Sequence, residues 1–269
     1  MSFHTYIDRW GLVPTGAPLS THTSDLLPVE YRGQPALLKI ARTAEERRGA
    51  ALLVWWQGRG AARPLQHDGA ALLMERLEGP MSLAHLARTG QDDRASSIIC
   101  TVAATLHTHA TSPPPNLVPL AHWFRDLFSE AGPYGGIVAR SARVARQLLN
   151  EPQDTVVLHG DLHHGNILDG GSRGWLAIDP KGLLGERGFD LANLFCNPDG
   201  TVATAPGRLA RQATVVAQAA GLDRGRLLRW ILAWAGLSAV WHGQDGSSPN
   251  LALAIAERAA QELNTDEPE

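Results

Sequence analysis

The sequence predicts an α+β protein of two lobes: a small N-terminal lobe of antiparallel strands with one helix, and a larger C-terminal lobe made mainly of helices. Three observations support this prediction. Short apolar segments separated by turn residues occupy the chain up to about residue 77, a pattern typical of small sheets. Beyond Gly79-Pro80, apolar residues recur every three or four positions, as on buried helix faces. A compact non-helical insert at residues 156–179 interrupts the helical part.

The N-terminal elements follow from strand and capping signals. Three strands are predicted before the helix and a fourth after it, at Trp10–Val13, Leu26–Tyr31, Pro35–Ala41 and Ala70–Leu77. The helix is predicted over Thr43–Gln57, because Thr43 is a suitable N-cap, two glutamates follow in the first turn, and Gly58 ends the pattern.

The C-terminal helices follow from apolar periodicity, which is clearest over Asp92–His109. Two further helices are predicted between residues 117 and 149, and three between residues 187 and 264. We therefore divide the chain into an N-terminal lobe at 1–76, a hinge at 77–80 and a C-terminal lobe at 81–269.

Composition excludes several classes of protein. Of 269 residues, 44% are hydrophobic and 19% are charged, which is ordinary for a folded protein. The net charge of −3 without a basic cluster argues against nucleic acid or an anionic membrane as partner, so a small molecule is expected. The two cysteines are far apart, and the N-terminus lacks an apolar signal sequence, which favours a reducing cytoplasm.

The densest polar cluster is the segment HGDLHHGN at residues 159–166, placed between two short apolar segments. Asp161 and Asn166 are five residues apart, the spacing of the protein-kinase catalytic loop, in which the Asp accepts the proton of the substrate hydroxyl and the Asn holds Mg²⁺. Asp179 follows at the end of an apolar strand, where a kinase has its second metal carboxylate. Amide and carboxylate oxygens suit Mg²⁺ as ligands.

Lysine is rare in this chain: only Lys39 and Lys181 occur among 24 basic residues. Codon bias towards arginine explains the rarity, but not the positions of the two lysines. Lys39 ends an apolar strand of the small lobe, where a kinase lysine contacts nucleotide phosphates and is oriented by a helix glutamate. Glu46 is the best candidate for that glutamate, with Glu45 as the alternative.

Several longer stretches carry a family resemblance: WWQGRGAAR, ALLMER, HGDLHHGNIL, RGWLAIDPKGLLGERGFDLANLF and LLRWILAWAGLSAVW. On these stretches the chain resembles the aminoglycoside phosphotransferases, almost from end to end. It is most similar to the streptomycin 6-phosphotransferases of the aminoglycoside/hydroxyurea antibiotic resistance kinase group. The resemblance implies a protein-kinase-like fold and ATP- and Mg²⁺-dependent phosphorylation of a streptomycin hydroxyl, which inactivates the antibiotic.

The resemblance also implies roles for individual residues. The expected catalytic base is Asp161, the metal ligands are Asn166 and Asp179, and Lys39, aligned by Glu46, contacts the phosphates. The backbone of Glu75 and Leu77 is expected to bind adenine, and Asp190 to brace the catalytic loop. His159 is expected to anchor that loop through its ring. No glycine-rich motif is present in the small lobe; the turn 21–25, with Ser24, stands in its place and offers backbone amides to phosphate.

The acceptor pocket is less clearly marked. Trp230, Trp234 and Trp241 fall on one predicted helix, where they form either core or a wall for the cationic drug, which carries two guanidinium groups. Core is the better interpretation of this spacing, and Trp241 is retained as an acceptor candidate. Lys181 lies near enough to Asp179 to contact phosphate or acceptor, although no lysine is expected there. Gly165 stands where the streptomycin subgroup has a glutamate.

Three alternatives remain open. The histidines 159, 163 and 164, with 107 and 109, allow a zinc hydrolase, since histidine is a common zinc ligand. A non-catalytic nucleotide-binding module is the second alternative. The third is the same chemistry on another acceptor, such as another aminoglycoside, hydroxyurea or a small metabolic alcohol. We expect a monomer or a weak dimer.

Overall fold

An antiparallel sheet forms the N-terminal part of the protein, described by a computed structural model that covers residues 3–108 and 114–266. The elements are α1 (Phe3–Trp10), β1 (Val13–Pro14), β2 (Leu19–Ser20), β3 (Ser24–Tyr31), β4 (Gln34–Ala41), α2 (Ala44–Trp56), β5 (Pro64–Asp68) and β6 (Ala71–Glu75). The strand order is β1-β3-β4-β6-β5, and β2 pairs with β3. The predicted small lobe, with its sheet and the helix α2, is confirmed.

Strand alternation decides which side chains of β4 face the cleft between the lobes. Ala36, Leu38 and Ile40 are buried in a small core on one face of the sheet. Successive side chains of a strand point to opposite faces, so Leu37 and Lys39 face the other side. The pattern thereby places the Lys39 ammonium in the cleft and not in the core.

Helix α2 packs on that cleft side. Its N-cap is Thr43, whose hydroxyl accepts from the amide of Glu46, and it ends at Gln57 in the left-handed conformation. Gly49 faces Pro180 of the C-terminal lobe so closely that an added Cβ would overlap the Pro180 carbonyl oxygen. A residue without a side chain therefore allows α2 to approach the segment that carries Asp179.

The C-terminal lobe is mainly helical, as predicted. Its elements are α3 (Leu83–Arg88), α4 (Asp92–Leu106), β7 (Val118–Pro119), α5 (Leu120–Trp123), α6 (Arg125–Tyr134), α7 (Gly136–Asn150), β8 (Thr155–Leu158), β9 (Ile167–Asp169), β10 (Trp175–Ala177), β11 (Leu183–Glu186), α8 (Gly200–Ala203), α9 (Arg208–Ala220), α10 (Arg224–Gln244) and α11 (Asn250–Asp266). Helix α10 is buried along most of its length and packs against α7 and α11.

Short strands align the two loops that carry the predicted active-site residues. Strand β8 pairs with β11 and β9 pairs with β10, both antiparallel. The loop 159–166 joins β8 to β9, and the segment 178–182 joins β10 to β11. Because these strands pair, the two loops lie side by side, and the Ile178 amide donates to the Asn166 carbonyl at 2.9 Å.

The connection between the lobes docks on the β9–β10 hairpin. The Gly79 amide donates to the Asp169 carbonyl at 3.0 Å, and the Met81 amide donates to the Asp169 carboxylate at 3.2 Å. An added Cβ on Gly79 would overlap the Asp169 side chain, so this close approach requires glycine. The domain boundary at residues 77–80 stays a prediction, placed within this docked connection between β6 and α3.

Three predicted elements need correction. The predicted strand Trp10–Val13 starts too early, because residues 3–10 form a helix and strand β1 begins at Val13. Phe3, Tyr6, Ile7 and Trp10 recur at helical spacing and pack on the small core. Strand β5 was not predicted, because Pro64–Asp68 is a mostly polar edge strand without apolar alternation. Helix α4 ends at Leu106, before His109, and His109 lies outside the described residues.

Within the part of the chain that the structure describes, no helix is both long and apolar enough to cross a bilayer.

The packing of α2 on Pro180 leads to a stability prediction. We expect Gly49→Ala to lower the free energy of unfolding by about 1–3 kcal/mol, because the added methyl group overlaps a backbone oxygen that cannot easily move. Urea unfolding followed by tryptophan fluorescence measures the change. Gly132→Ala is the control, since that exposed helical glycine has nothing within 4 Å of an added Cβ. Equal stability of the two variants would contradict the proposed close contact.

Candidate active site

Lys39 is held between two carboxylates. Its ammonium forms ion pairs with Glu46 of α2 and with Asp179 of the C-terminal lobe. The Lys39 side chain is 13% exposed and that of Glu46 is 4% exposed, so solvent screens this pair weakly. The second oxygen of Glu46 accepts from the Thr23 hydroxyl at 2.8 Å. The structure thus brings Glu46, and not Glu45, to Lys39.

Asp179 adopts a backbone conformation that few residues tolerate. Its φ is +60°, in the left-handed region, which costs on the order of 1–3 kcal/mol for a residue with a side chain. Burial opposes ionisation of the carboxyl group, but the ammonium groups of Lys39 and Lys181 outweigh it, so the pKa of Asp179 lies below its ordinary value. Asp179 is therefore an anion at neutral pH, aimed into the cleft.

Asp190 lies beneath the catalytic loop and is almost completely buried. One carboxylate oxygen accepts from the Gly160 amide at 2.7 Å, and the other from the His159 amide at 2.9 Å. His107 contacts the second oxygen through its Nε2 atom at 2.8 Å. These bonds fix the start of the loop. The contact of His107 with Asp190 was not predicted, because His107 lies at the C-terminal end of α4, far from the loop in sequence.

His159 links the loop to the segment that carries Asp179. Its Nδ1 accepts from the Asp161 amide at 3.2 Å, and its Nε2 lies 2.8 Å from the Ile178 carbonyl oxygen. Burial lowers the pKa of His159 to about 4, so the ring is neutral at physiological pH. A neutral ring protonated on Nε2 satisfies both contacts.

Asp161 receives hydrogen bonds from two asparagine side chains. Asn166 Nδ2 donates to Asp161 Oδ2 at 3.0 Å and to its carbonyl oxygen at 2.9 Å. Asn193 Nδ2 donates to Asp161 Oδ1 at 2.7 Å. Burial raises the pKa of Asp161 above its ordinary value of 3.8, more than His163 and Lys181 lower it. A carboxylate in this setting is oriented and is a stronger base than a solvated one.

Asn193 is a site residue that the sequence analysis missed. Its own amide oxygen accepts from Asn197 Nδ2 at 3.0 Å, which fixes the orientation of the amide and directs its NH₂ group to Asp161. The available signal was a polar residue inside the apolar segment FDLANLF, three positions after Asp190. Buried polar groups are costly without a partner, and here the partner is the predicted base.

A cavity of about 320 Å³ lies between the lobes, and we call it the interlobe cavity. Its polar lining includes Lys39, Glu46, Asn166, Asp179 and Ser24, and its apolar lining includes strands β3, β4 and β6 up to Met74. Five of the predicted residues thus meet in one place.

Three of the predicted nucleotide contacts would be made by backbone groups, namely those of Ser24, which lines that cavity, and of Glu75 and Leu77. The Ser24 amide donates to the Thr21 hydroxyl at 3.0 Å within the β2–β3 hairpin, so it is already engaged. The Glu75 amide donates to the Arg63 carbonyl at 3.0 Å, and the Glu75 side chain pairs with Arg173. Glu75 and Leu77 follow Met74 but are not part of the cavity lining.

A second cavity, of about 340 Å³, is bordered by Asp161, and we call it the tryptophan cavity. It is lined by Glu45, Trp123, Gly160, Asp161, Lys181, Asn193, Trp234 and Trp241. Trp241 contacts Trp123 edge to face at 5.4 Å between centroids, and its indole N–H donates to Asp126 at 3.0 Å. Trp230 is instead core, 1% exposed and bonded to Glu186 at 2.7 Å. Helix α10 therefore supplies one tryptophan to the core and two to the wall of the tryptophan cavity.

The histidines of the loop face different surroundings. His159 contacts Ile178, His163 Nε2 lies 3.9 Å from Asp161, and His164 Nε2 lies 3.9 Å from Asp92. Over residues 3–108 and 114–266, no group of three or more His, Cys, Asp or Glu side chains is placed to hold a metal ion. The geometry therefore offers no support for the zinc hydrolase alternative.

The residues do fit a hard divalent cation of the kind that accompanies nucleotides. Asn166 uses its NH₂ group on Asp161, which leaves its amide oxygen for a ligand, and the ionised Asp179 lines the same cavity. Two oxygen ligands from the protein, with phosphate oxygens and waters for the rest, is the usual donor set for Mg²⁺.

The fold has two lobes, and a strand lysine is paired with a helix glutamate in the cleft between them. Two aspartates and an asparagine lie around the same cleft. Together these features define a kinase-type phosphotransferase. The chain belongs to the aminoglycoside/hydroxyurea antibiotic resistance kinase family, whose model matches residues 9–246. The family predicted from the sequence is thereby confirmed.

Individual relatives agree with this membership. The chain is 50% identical over 254 residues to the streptomycin 3''-kinase of Klebsiella pneumoniae, covering 93% of this chain and 95% of the relative. It is 32% identical over 265 residues to the streptomycin 6-kinase of Streptomyces glaucescens, covering 90% and 82%. Its fold is similar to that of a thermostable mutant of aminoglycoside phosphotransferase APH(4)-Ia in a ternary complex with ADP and hygromycin B, with a TM-score of 0.70, 12% identity and 99% of each chain covered.

The hydrogen bond from Asn193 leads to a prediction about pH dependence. Asn193→Ala removes a donor that stabilises the ionised form of Asp161, so the pKa of Asp161 should rise further. We expect the acidic limb of the kcat profile to move to higher pH and kcat at neutral pH to fall about 10- to 100-fold, the range for a bond to a charged group.

Asn264→Ala is the matched control, because that exposed asparagine accepts from Arg140 and lines neither the interlobe cavity nor the tryptophan cavity. Steady-state rates across pH for the two variants test the effect. An Asn193→Ala enzyme with the pH profile of the wild type would show that Asn193 does not tune the base.

Proposed function

We propose that this protein transfers the γ-phosphoryl group of ATP to a hydroxyl group of streptomycin and thereby inactivates the antibiotic. The observation that carries the proposal is that two cavities are linked by a hydrogen bond between their lining residues. Asn166 lines the interlobe cavity, which has the features of a nucleotide site, and donates to Asp161, which lines the tryptophan cavity, with the features of a site for an organic cation.

In the nucleotide site, Lys39 would contact the α- and β-phosphates in the geometry set by Glu46. Asn166 and Asp179 would hold Mg²⁺, which neutralises charge on the phosphates when bound. The β2–β3 hairpin that contains Ser24 would cover the phosphates, and the carbonyl of Glu75 with the amide of Leu77 would bind the adenine edge. Asp190 and His159 would keep the loop in place beneath them.

In the acceptor site, Asp161 would orient the hydroxyl in line with the γ-phosphorus and accept its proton. Asn166 and Asn193 hold the carboxylate by one oxygen each. Phosphoryl transfer requires little covalent chemistry from the protein, so positioning and charge neutralisation supply most of the rate enhancement.

Streptomycin is favoured as acceptor by chemistry and by the relatives. Its guanidinium groups are cations, which bind over indole faces and beside carboxylates, and the tryptophan cavity offers Trp123, Trp234, Trp241 and Glu45. The resemblance implied a 6-phosphotransferase, but identity is higher to the 3''-kinase than to the 6-kinase, so we propose the 3''-hydroxyl in its place as the site of phosphorylation. Two free cysteines and the use of ATP fit action in the cytoplasm, where thiols stay reduced and ATP is available.

The substrate proposal is tested with purified protein, ATP, Mg²⁺ and a panel of acceptors that includes streptomycin, other aminoglycosides and hydroxyurea. We expect ADP release that depends on streptomycin, and a product with one phosphate at the 3'' position by NMR. Asp161→Asn should reduce kcat by the equivalent of roughly 3–5 kcal/mol while nucleotide binding persists. If only another acceptor is phosphorylated, the proposal of streptomycin as substrate is wrong but that of phosphoryl transfer is retained. If the phosphate is found at the 6 position of streptomycin, the proposed 3'' site is wrong.

The aromatic wall is tested separately. Trp241→Ala removes an indole face from the tryptophan cavity, so KM for streptomycin should rise about 3- to 30-fold, the range for a partly desolvated cation on an indole ring, with KM for ATP unchanged. Trp10→Ala is the control, because Trp10 is a half-buried indole on α1 that packs on Tyr6. Unchanged streptomycin affinity in a stably folded Trp241→Ala enzyme would remove Trp241 from the acceptor site.

A further inference from the structure

Lys181 lies where the two cavities meet. It lines the tryptophan cavity next to Asp161, and its Nζ is 3.6 Å from Asp179 Oδ2, on the carboxylate that lines the interlobe cavity. Its side chain is 17% exposed. Lys39 binds the other oxygen of the same carboxylate from the interlobe side. The two lysines of the chain therefore flank Asp179 from opposite sides.

The position of Lys181 is fixed by the backbone and by α2. Its amide donates to the His159 carbonyl at 2.7 Å, and its carbonyl accepts from Arg48 Nε at 3.0 Å. Its Nζ lies 3.4 Å from Glu45 Oε1. Adjacent glutamates in the first turn of α2 thus each face one lysine: Glu46 faces Lys39, and Glu45 faces Lys181.

The ammonium of Lys181 keeps donors for a ligand. Its distances to Asp179 and Glu45 exceed the 2.7–2.9 Å of a charge-assisted hydrogen bond. The Glu45 carboxylate, 3.4 Å from Nζ, and the Asp179 carboxylate, 3.6 Å from it, surround the ammonium with negative charge. A cation with free donors, held beside the base and the metal-binding carboxylate, is suited to oxygens that become more negative during transfer.

We propose that Lys181 is a catalytic residue that contacts the phosphoryl group in transit, whereas Lys39 contacts the phosphates that remain on the nucleotide. This inference rests on the proposed phosphoryl transfer but not on streptomycin as acceptor. In the reaction, the bond from the γ-phosphorus to the β,γ-bridging oxygen breaks, and ADP leaves with that electron pair. A bond from the acceptor oxygen to phosphorus forms, and the hydroxyl proton passes to Asp161. Lys181 stabilises the equatorial oxygens throughout.

The distinguishing measurement is nucleotide binding without any acceptor. ADP lacks the γ-phosphate and a non-hydrolysable ATP analogue has it, so calorimetric titration with each, in the presence of Mg²⁺, isolates contact with that group. We expect Lys181→Met to weaken binding of the analogue about tenfold and binding of ADP less than about twofold. Lys39→Met is the matched control and should weaken both nucleotides, because its contacts lie on the phosphates that they share.

Kinetics supply the second measurement. Lys181→Met should lower kcat at least about 100-fold and lower uncoupled ATP hydrolysis by a similar factor, with KM for streptomycin within about threefold of wild type. Glu45→Gln preserves the size of the side chain and removes the carboxylate beside Lys181, so in the binding titrations it should weaken binding of the ATP analogue more than binding of ADP, by a smaller factor than Lys181→Met. This nucleotide measurement covers the case in which Lys181→Met does not fold. Thermal unfolding identifies that case.

Either of two results with Lys181→Met would overturn the inference. One is an equal loss of affinity for ADP and for the analogue. The other is a change confined to KM for streptomycin, which would make Lys181 an acceptor contact. If streptomycin is not phosphorylated but Lys181→Met still discriminates between the two nucleotides, the substrate proposal fails and the role of Lys181 stands.

Discussion

The carboxylate of Asp179 is the charge on which the rest of the site depends. Lys39 approaches it from the sheet of the N-terminal lobe, and Lys181 lies beside it on the loop that follows β10. Each ammonium is also paired with a glutamate of α2, Glu46 or Glu45. Because Lys39, Lys181 and Glu46 are largely shielded from water, their interactions are stronger than those of surface ion pairs. The position of α2 therefore sets both cations, and with them the charge pattern of both cavities.

Close packing makes that arrangement possible. Helix α2 reaches Pro180 only because Gly49 has no side chain, and the loop at Gly160, with φ of +88°, runs so close to Leu183 and Lys181 that a Cβ would crowd both. Asp179 itself is held in an unfavourable conformation, and the strand pairs β8–β11 and β9–β10 on either side of the two loops keep it there. Backbone strain at the centre of the site is thus supported by regular structure around it.

Much of the fold and the site followed from local patterns, and the exceptions have physical reasons. The strand that carries Lys39 and the capping of α2 are short-range signals, and the kinase pattern then led us to expect a contact between Lys39 and a glutamate of α2; the structure has this ion pair with Glu46. Strand β5 lies at a sheet edge and has no fully buried residue, with only Leu65 packed on the small core, so its sequence shows no alternating pattern. The contacts of Asn193 with Asp161 and of Lys181 with Glu45 join positions 32 and 136 residues apart, and no spacing rule in one sequence reports such contacts.

The balance of charge explains why one site suits both an anionic and a cationic substrate. Glu45, Glu46, Asp161 and Asp179 supply four negative charges when ionised, against two from the lysines, so the formal sum is −2. A nucleotide triphosphate is repelled by that sum until a divalent cation offsets it on the Asp179 side. On the other side, Glu45 and Asp161 still face the tryptophan cavity, where an uncompensated negative charge attracts a guanidinium group. The compact ammonium of Lys181 separates these two environments without filling either cavity. The larger, planar guanidinium of an arginine at position 181 would be less suited to this place.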